Sequence, residues 1–79
     1  MARKTIYLTQ TFWRAGKRLE PGRRRQHSTA DRARTEGRRL SKAAAGVVVY
    51  SVEGYPDEDY WEDPVILEAI GVVPISASP

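Results

Sequence analysis

The sequence predicts a small α+β fold: a four-stranded antiparallel sheet with one helix on one face, in the order ββαββ. Three observations predict it. Near the start, Ile6, Leu8, Gln10 and Phe12 alternate with Tyr7, Thr9, Thr11 and Trp13, which is the period of a strand. Further on, Ala30, Ala33, Gly37, Leu40 and Ala44 recur at spacings of three and four, which is the period of a helix. Val47, Val48 and Val49 then lead into Tyr50, a β-branched and aromatic run that favours a second sheet element.

Taken in order, residues 5–20 read as a β-hairpin, with Ala15, Gly16 and Lys17 as the turn and a short return strand from Arg18 to Glu20. Pro21 and Gly22 end that strand, because Pro cannot donate to a ladder. Arg23, Arg24, Arg25, Gln26 and His27 become a basic connector. Ser28 or Thr29 caps a helix over residues 28–45, and Gly46 falls where a left-handed cap residue is expected. The inner stripe of this helix has only one large member, so it buries little but approaches a sheet closely. Arg32, Arg34, Arg38, Arg39 and Lys42 fan over its other side, with Asp31 and Glu36 at ion-pairing spacings. Residues 47–53 form a strand, residues 54–63 an acidic loop and residues 65–70 a last strand that returns antiparallel beside residues 47–52. Asp63, Pro64 and Gly71 also permit a two-turn helix at 65–70, but the strand completes the sheet. A polar tail occupies 75–79. One helix covers one sheet face; the other, expected to carry Tyr7 and Trp13, is solvated or buried by a partner, a second copy included.

The 79 residues make one domain, and a chain of this size buries only roughly 60% of the surface it exposes unfolded. Without cysteine it has no disulfides, thiolate metal sites or cysteine nucleophiles. Neither a signal peptide nor a membrane span is read from the opening residues, so a reducing cytoplasm is the expected address. The net charge of +3 conceals a division. All 13 Lys and Arg precede residue 47, opposed only by Glu20, Asp31 and Glu36, for a net +10. Seven carboxylates and no base follow. Such asymmetry marks either an interaction surface or a chain that neutralises itself.

Catalytic and cofactor chemistry finds little support. His27 is the sole imidazole and stands beside Ser28 without a nucleophile elbow. Asp57, Asp59, Asp63 and Glu68 match positions 1, 3, 7 and 12 of a calcium loop, but Glu62 replaces the required Gly and Trp61 offers no oxygen. Gly16 and Gly22 stand alone, so no phosphate-cradling loop is present. The expectation is a non-enzymatic protein with no metal and no cofactor.

Two binding surfaces remain. Tyr55, Asp57, Glu58, Asp59, Tyr60, Trp61, Glu62 and Asp63 combine aromatic anchors with carboxylates, a pattern suited to a basic groove on a protein partner. Carboxylates so presented can stand where phosphates would sit. Alternatively, Arg14, Lys17, Arg18, Arg23, Arg24, Arg25, Arg32, Arg38 and Arg39 offer a positive surface for nucleic acid, with Trp13 or Tyr7 for base stacking. No helix-turn-helix, zinc finger or RNA-recognition strand signature accompanies them, which argues against sequence-specific readout.

Tyr7, Gln10-Thr11-Phe12, the Gly16-Lys17-Arg18-Leu19-Glu20-Pro21-Gly22 turn, Ala45-Gly46-Val47-Val48-Val49-Tyr50-Ser51 and Asp63-Pro64-Val65-Ile66-Leu67, with Gly71 and Val73-Pro74, together resemble short uncharacterised proteins of alphaproteobacteria and their prophages. Every matching element is structural, so the resemblance carries over no catalytic residue. In size, lack of cysteine and charge segregation the chain also looks like the anti-CRISPR inhibitors of phages and mobile elements, a likeness of type and not of motif. That likeness implies a stoichiometric inhibitor that binds an RNA-guided CRISPR effector complex and keeps target DNA from it.

Overall fold

A computed structural model describes residues 2–74. Its elements are β1 (Lys4–Ala15), β2 (Arg18–His27), α1 (Ala30–Leu40), β3 (Gly46–Tyr55), β4 (Tyr60–Trp61) and β5 (Val65–Gly71), with a 3-10 turn at Pro56–Glu58. The chain is α+β, with its helix between the second and third strands as the sequence predicts. β1 lies between β2 and β3 and is antiparallel to both, so α1 crosses over it to join two parallel strands. The far edge of β3 is shared: β5 pairs with it from Gly46 to Ser51, and β4 pairs with Gly54 and Tyr55. Among the described residues no helix is long and apolar enough to cross a membrane. The expected tail at 75–79 lies outside the described residues.

The core forms where α1 meets the sheet. Thr29 caps the helix by accepting a hydrogen bond from the Arg32 N–H at 3.1 Å. Ala33 and Gly37 are buried, and a Cβ placed on Gly37 would stand 2.6 Å from Val49 Cγ2. Thr9, Val47 and Val49 beneath them have no exposed surface. Fully burying each of those valines is worth about 1.5–3 kcal/mol.

This seating reverses the expected sheet faces. The unbroken β1–β3 register puts Tyr7, Thr9, Thr11 and Trp13 on the helix side with Val47 and Val49. Ile6, Leu8, Phe12, Val48, Tyr50 and Val52 therefore face away from α1. The small helix stripe decides the matter. Ala and Gly close on a floor of Thr and Val, which is flat enough for backbone-to-sheet approach, whereas Leu8, Phe12 and Tyr50 would hold the helix off.

Three boundaries also differ from expectation. β2 continues through Pro21 and Gly22 to His27, so Arg23, Arg24 and Arg25 are strand residues and not a connector. It is an edge strand, where a missing N–H is tolerated, and a register irregularity opposite Gln10 and Phe12 absorbs the Pro. Side chains complete the ladder there: Gln10 Nε2 donates to the Gly22 carbonyl at 2.9 Å, and Thr11 Oγ1 donates to that of Arg23 at 3.5 Å. The helix is shorter than 28–45, ending at Leu40 and passing through Ser41 into turns closed by the Ala43 and Ala44 N–H groups on the Leu40 carbonyl. Gly46 opens β3 without a left-handed φ; the Val72 carbonyl packs against it, leaving no room for a side chain. Lastly, residues 54–63 are not one open loop, because β3 extends to Tyr55 and β4 folds back on it.

Candidate functional site

The carboxylate-rich segment is a tight hairpin at the end of the sheet where β1 begins. Pro56 starts the 3-10 turn, and Asp59 closes it in the left-handed region at φ 51°, a conformation Asp adopts more readily than most residues. The Asp59 N–H donates to the Pro56 carbonyl at 3.1 Å, and the Glu62 N–H donates to that of Glu53 at 2.7 Å. Tyr55 and Tyr60 stack with ring centroids 6.4 Å apart, and Trp61 lies over the bare backbone of Gly54. Local packing thus orders the hairpin, although its side chains stay in solvent: Tyr60 is 55% exposed and Trp61 40%.

Ion pairing separates this tip from the remaining acids. Glu53 pairs with Arg3 at 2.7 Å, and Glu68 pairs with Arg38 at 3.4 Å. Among the described residues, Asp57, Glu58, Asp59, Glu62 and Asp63 make no ion pair, while all five are exposed. The four carboxylates of the calcium-loop pattern also come apart, since Glu68 sits in β5 opposite Val49 on the helix side.

The basic candidates are scattered over several parts of the surface. Arg23, Arg25 and Arg39 meet Trp13, Thr11 and Leu40 around a groove of about 250 Å³ between β2 and the end of α1. Trp13 is 42% exposed there, held by its Nε1–H donating to Thr11 Oγ1 at 3.2 Å. Glu36 bridges two of the arginines, at 3.3 Å from Arg25 and in a shorter contact with Arg39. The Arg39 hydrogen bond is the main cause that holds the Glu36 carboxyl below its ordinary value, with the charges of Arg39, Arg25 and His27 adding to it. Arg32 stands at the other end of the helix near His27, and Arg38 turns toward β5. Arg14, Lys17 and Arg18 cluster about the β1–β2 turn, where Arg18 pairs with Glu20 at 3.5 Å. Arg24 lies on the face away from α1.

His27 Nε2 lies 3.0 Å from Thr9 Oγ1, a side-chain hydrogen bond between β2 and β1. No protein-family model, curated protein or solved structure matches the chain, so residue roles rest on this geometry alone.

One feature escaped the sequence reading. The face turned away from α1 is concave, with a hollow of about 370 Å³ that has buried Phe12 and Val48 at its base and Tyr50, Val52, Pro64 and Ile66 on its walls. Gln10 and Arg24 are its polar members. The signal was present in the alternation, because Ile6, Leu8 and Phe12 form the more apolar side of β1.

Proposed function

We propose that the protein acts by binding and not by catalysis, with the β3–β4 hairpin docking on a basic, nucleic-acid-binding surface of another protein. An anti-CRISPR inhibitor of an RNA-guided effector complex would act in this way. The observation that carries the reading is the ordered hairpin bearing five exposed carboxylates outside any ion pair among the described residues, with Tyr60 and Trp61 between them. Trp and Tyr are the side chains that most often anchor interfaces, and free carboxylates steer an encounter with a basic groove. Because the turn is already ordered, binding costs less conformational entropy than it would for a flexible acidic segment.

Capture of an RNA-guided effector from a lysate, beside a nuclease-treated control, tests the proposal. Trp61→Ala is expected to cost about 2 kcal/mol, near 30-fold in affinity, with the circular dichroism of the fold unchanged. Unaltered binding by that variant removes the hairpin from the mechanism.

A second reading rests on a different observation, the meeting of Arg23, Arg25 and Arg39 around exposed Trp13. Cations beside an aromatic plane suit single-stranded nucleic acid, bound with little sequence preference. Loss of complex in the nuclease-treated control would favour this groove over the hairpin.

A further inference from the structure

The hairpin reading leaves the apolar side of the sheet, opposite α1, without a role. Leu8, Phe12, Val48, Tyr50, Val52 and Ile66 share it around the concavity, with Gln10 and, on the edge strand, Arg24 as its polar members. We propose that this face receives a second copy of the chain, in a two-fold dimer with the strands of the copies running head to tail.

Charge selects both the occupant and the direction. The carboxylates of residues 57–63 stand at one end of the sheet, beyond the Lys4–Gly54 pair, and Arg14, Lys17 and Arg18 stand at the other, about the β1–β2 turn. The molecule is 45 Å long, several times the ~8 Å over which exposed charges act at physiological salt, so these ends cannot neutralise each other within one chain. Two arrangements bring the apolar faces together about a two-fold axis lying in the sheet plane. With the axis along the strands, acidic end meets acidic end. With the axis across the strands, each acidic end lies over the other copy's basic turn, and both attractions form at once. Arg3 is taken up by Glu53 at this end, and Lys4 is outnumbered there by Glu62 and Asp63 alone. Glu62 and Asp63 are the acids nearest the interface, since they lead into Pro64 on the wall of the hollow.

The size is adequate. The sheet face along β1, about 36 Å from the first to the last of its 12 residues at ~3.3 Å per step and 23 Å wide, offers on the order of 800 Å², equal to the ~800 Å² per partner of a standard interface. Residues 56–59 lie beyond the end of β1, so the tip of the acidic hairpin stays outside such a dimer and the proposal does not depend on what the tip binds.

Sedimentation equilibrium over a micromolar-to-millimolar series reads the state directly, with no other partner present. A mass of two chains is expected. Arg14→Glu with Lys17→Glu, and separately Glu62→Lys with Asp63→Lys, should each weaken the dimer by ~10-fold or more. An equimolar mixture of the two variants should restore it, because each altered end then meets its opposite. Leu8→Lys should abolish association; if that variant unfolds, the exposed charge variants carry the test alone. A monomer throughout the series overturns the proposal, as does a dimer that neither charge pair weakens or that mixing fails to restore.

Discussion

Replacing Gly37 by Ala sets two effects of similar size against each other. In an exposed helix the change gains about 1 kcal/mol of intrinsic propensity. Here the added methyl would lie 2.6 Å from Val49 Cγ2, and also 3.7 Å from Val47 Cγ1 and 3.9 Å from Thr9 Cγ2. Val49 is fully buried and stiff at χ1, so it has nowhere to turn. The helix must lift instead, opening the contact at Ala33. Overpacking of this kind costs about 1–3 kcal/mol, which offsets the propensity gain and leaves a net destabilisation of up to about 2 kcal/mol. For a domain of this size each lost kcal/mol lowers Tm by about 4–8 °C. Urea unfolding of the single variant and of Gly37→Ala with Val49→Ala measures the effect. Truncating Val49 removes the clashing carbon, so the two changes together should cost less than the sum of each alone, by about 1 kcal/mol. A Gly37→Ala protein that is more stable by about 1 kcal/mol would refute the close approach of α1 to the sheet.

Other expectations follow from single contacts. Thr29→Ala removes the helix cap and should cost about 1 kcal/mol in urea unfolding. Glu36 has its native pKa depressed, so its pairing with Arg39 and Arg25 stabilises the fold fully above the ordinary carboxylate value of about 4.3. That stabilisation is lost as pH falls through the lower native pKa; Glu36→Gln should flatten the acid limb of a Tm-against-pH curve, and an unchanged limb would contradict the pairing. If the basic groove binds single strands, changing Arg23, Arg25 and Arg39 to Ala should reduce the slope of log affinity against log salt by about 2, read by fluorescence anisotropy with labelled oligonucleotides.

The sequence exposed whatever depended on near neighbours. The small stripe of α1 from Ala30 to Leu40 and the Val47 to Val49 run followed from period or composition within a few residues, and the structure contains both, with Ala44 past the helix end; the strand after Pro64 followed instead from its place in the sheet beside β3. The extent of β2 was not legible, because Pro21 and Gly22 read locally as a stop. Only the edge position of the strand and the side chains of Gln10 and Thr11 across the ladder let it continue. The face chosen by α1 was similarly hidden: steric fit to Thr9 and Val49 outweighed the greater apolar character of Leu8 and Phe12. The acidic segment was visible as a candidate because its carboxylates adjoin in sequence. Its hairpin form arises from Tyr55 meeting Tyr60 and from β4 pairing with the end of β3. The removal of Glu53 and Glu68 from the free acids required Arg3 and Arg38, partners distant along the chain.

On the proposed function, the hairpin's carboxylates stand in for nucleic-acid phosphates on a basic protein surface. Target-DNA binding by a purified RNA-guided effector complex, titrated with this protein and with a variant carrying Asp57→Asn, Glu58→Gln, Asp59→Asn, Glu62→Gln and Asp63→Asn, tests it most directly. The native chain is predicted to displace DNA at near-stoichiometric ratio, and the neutralised variant to leave DNA bound. Equal displacement by both proteins would contradict the claim, and so would failure of the native chain to displace DNA.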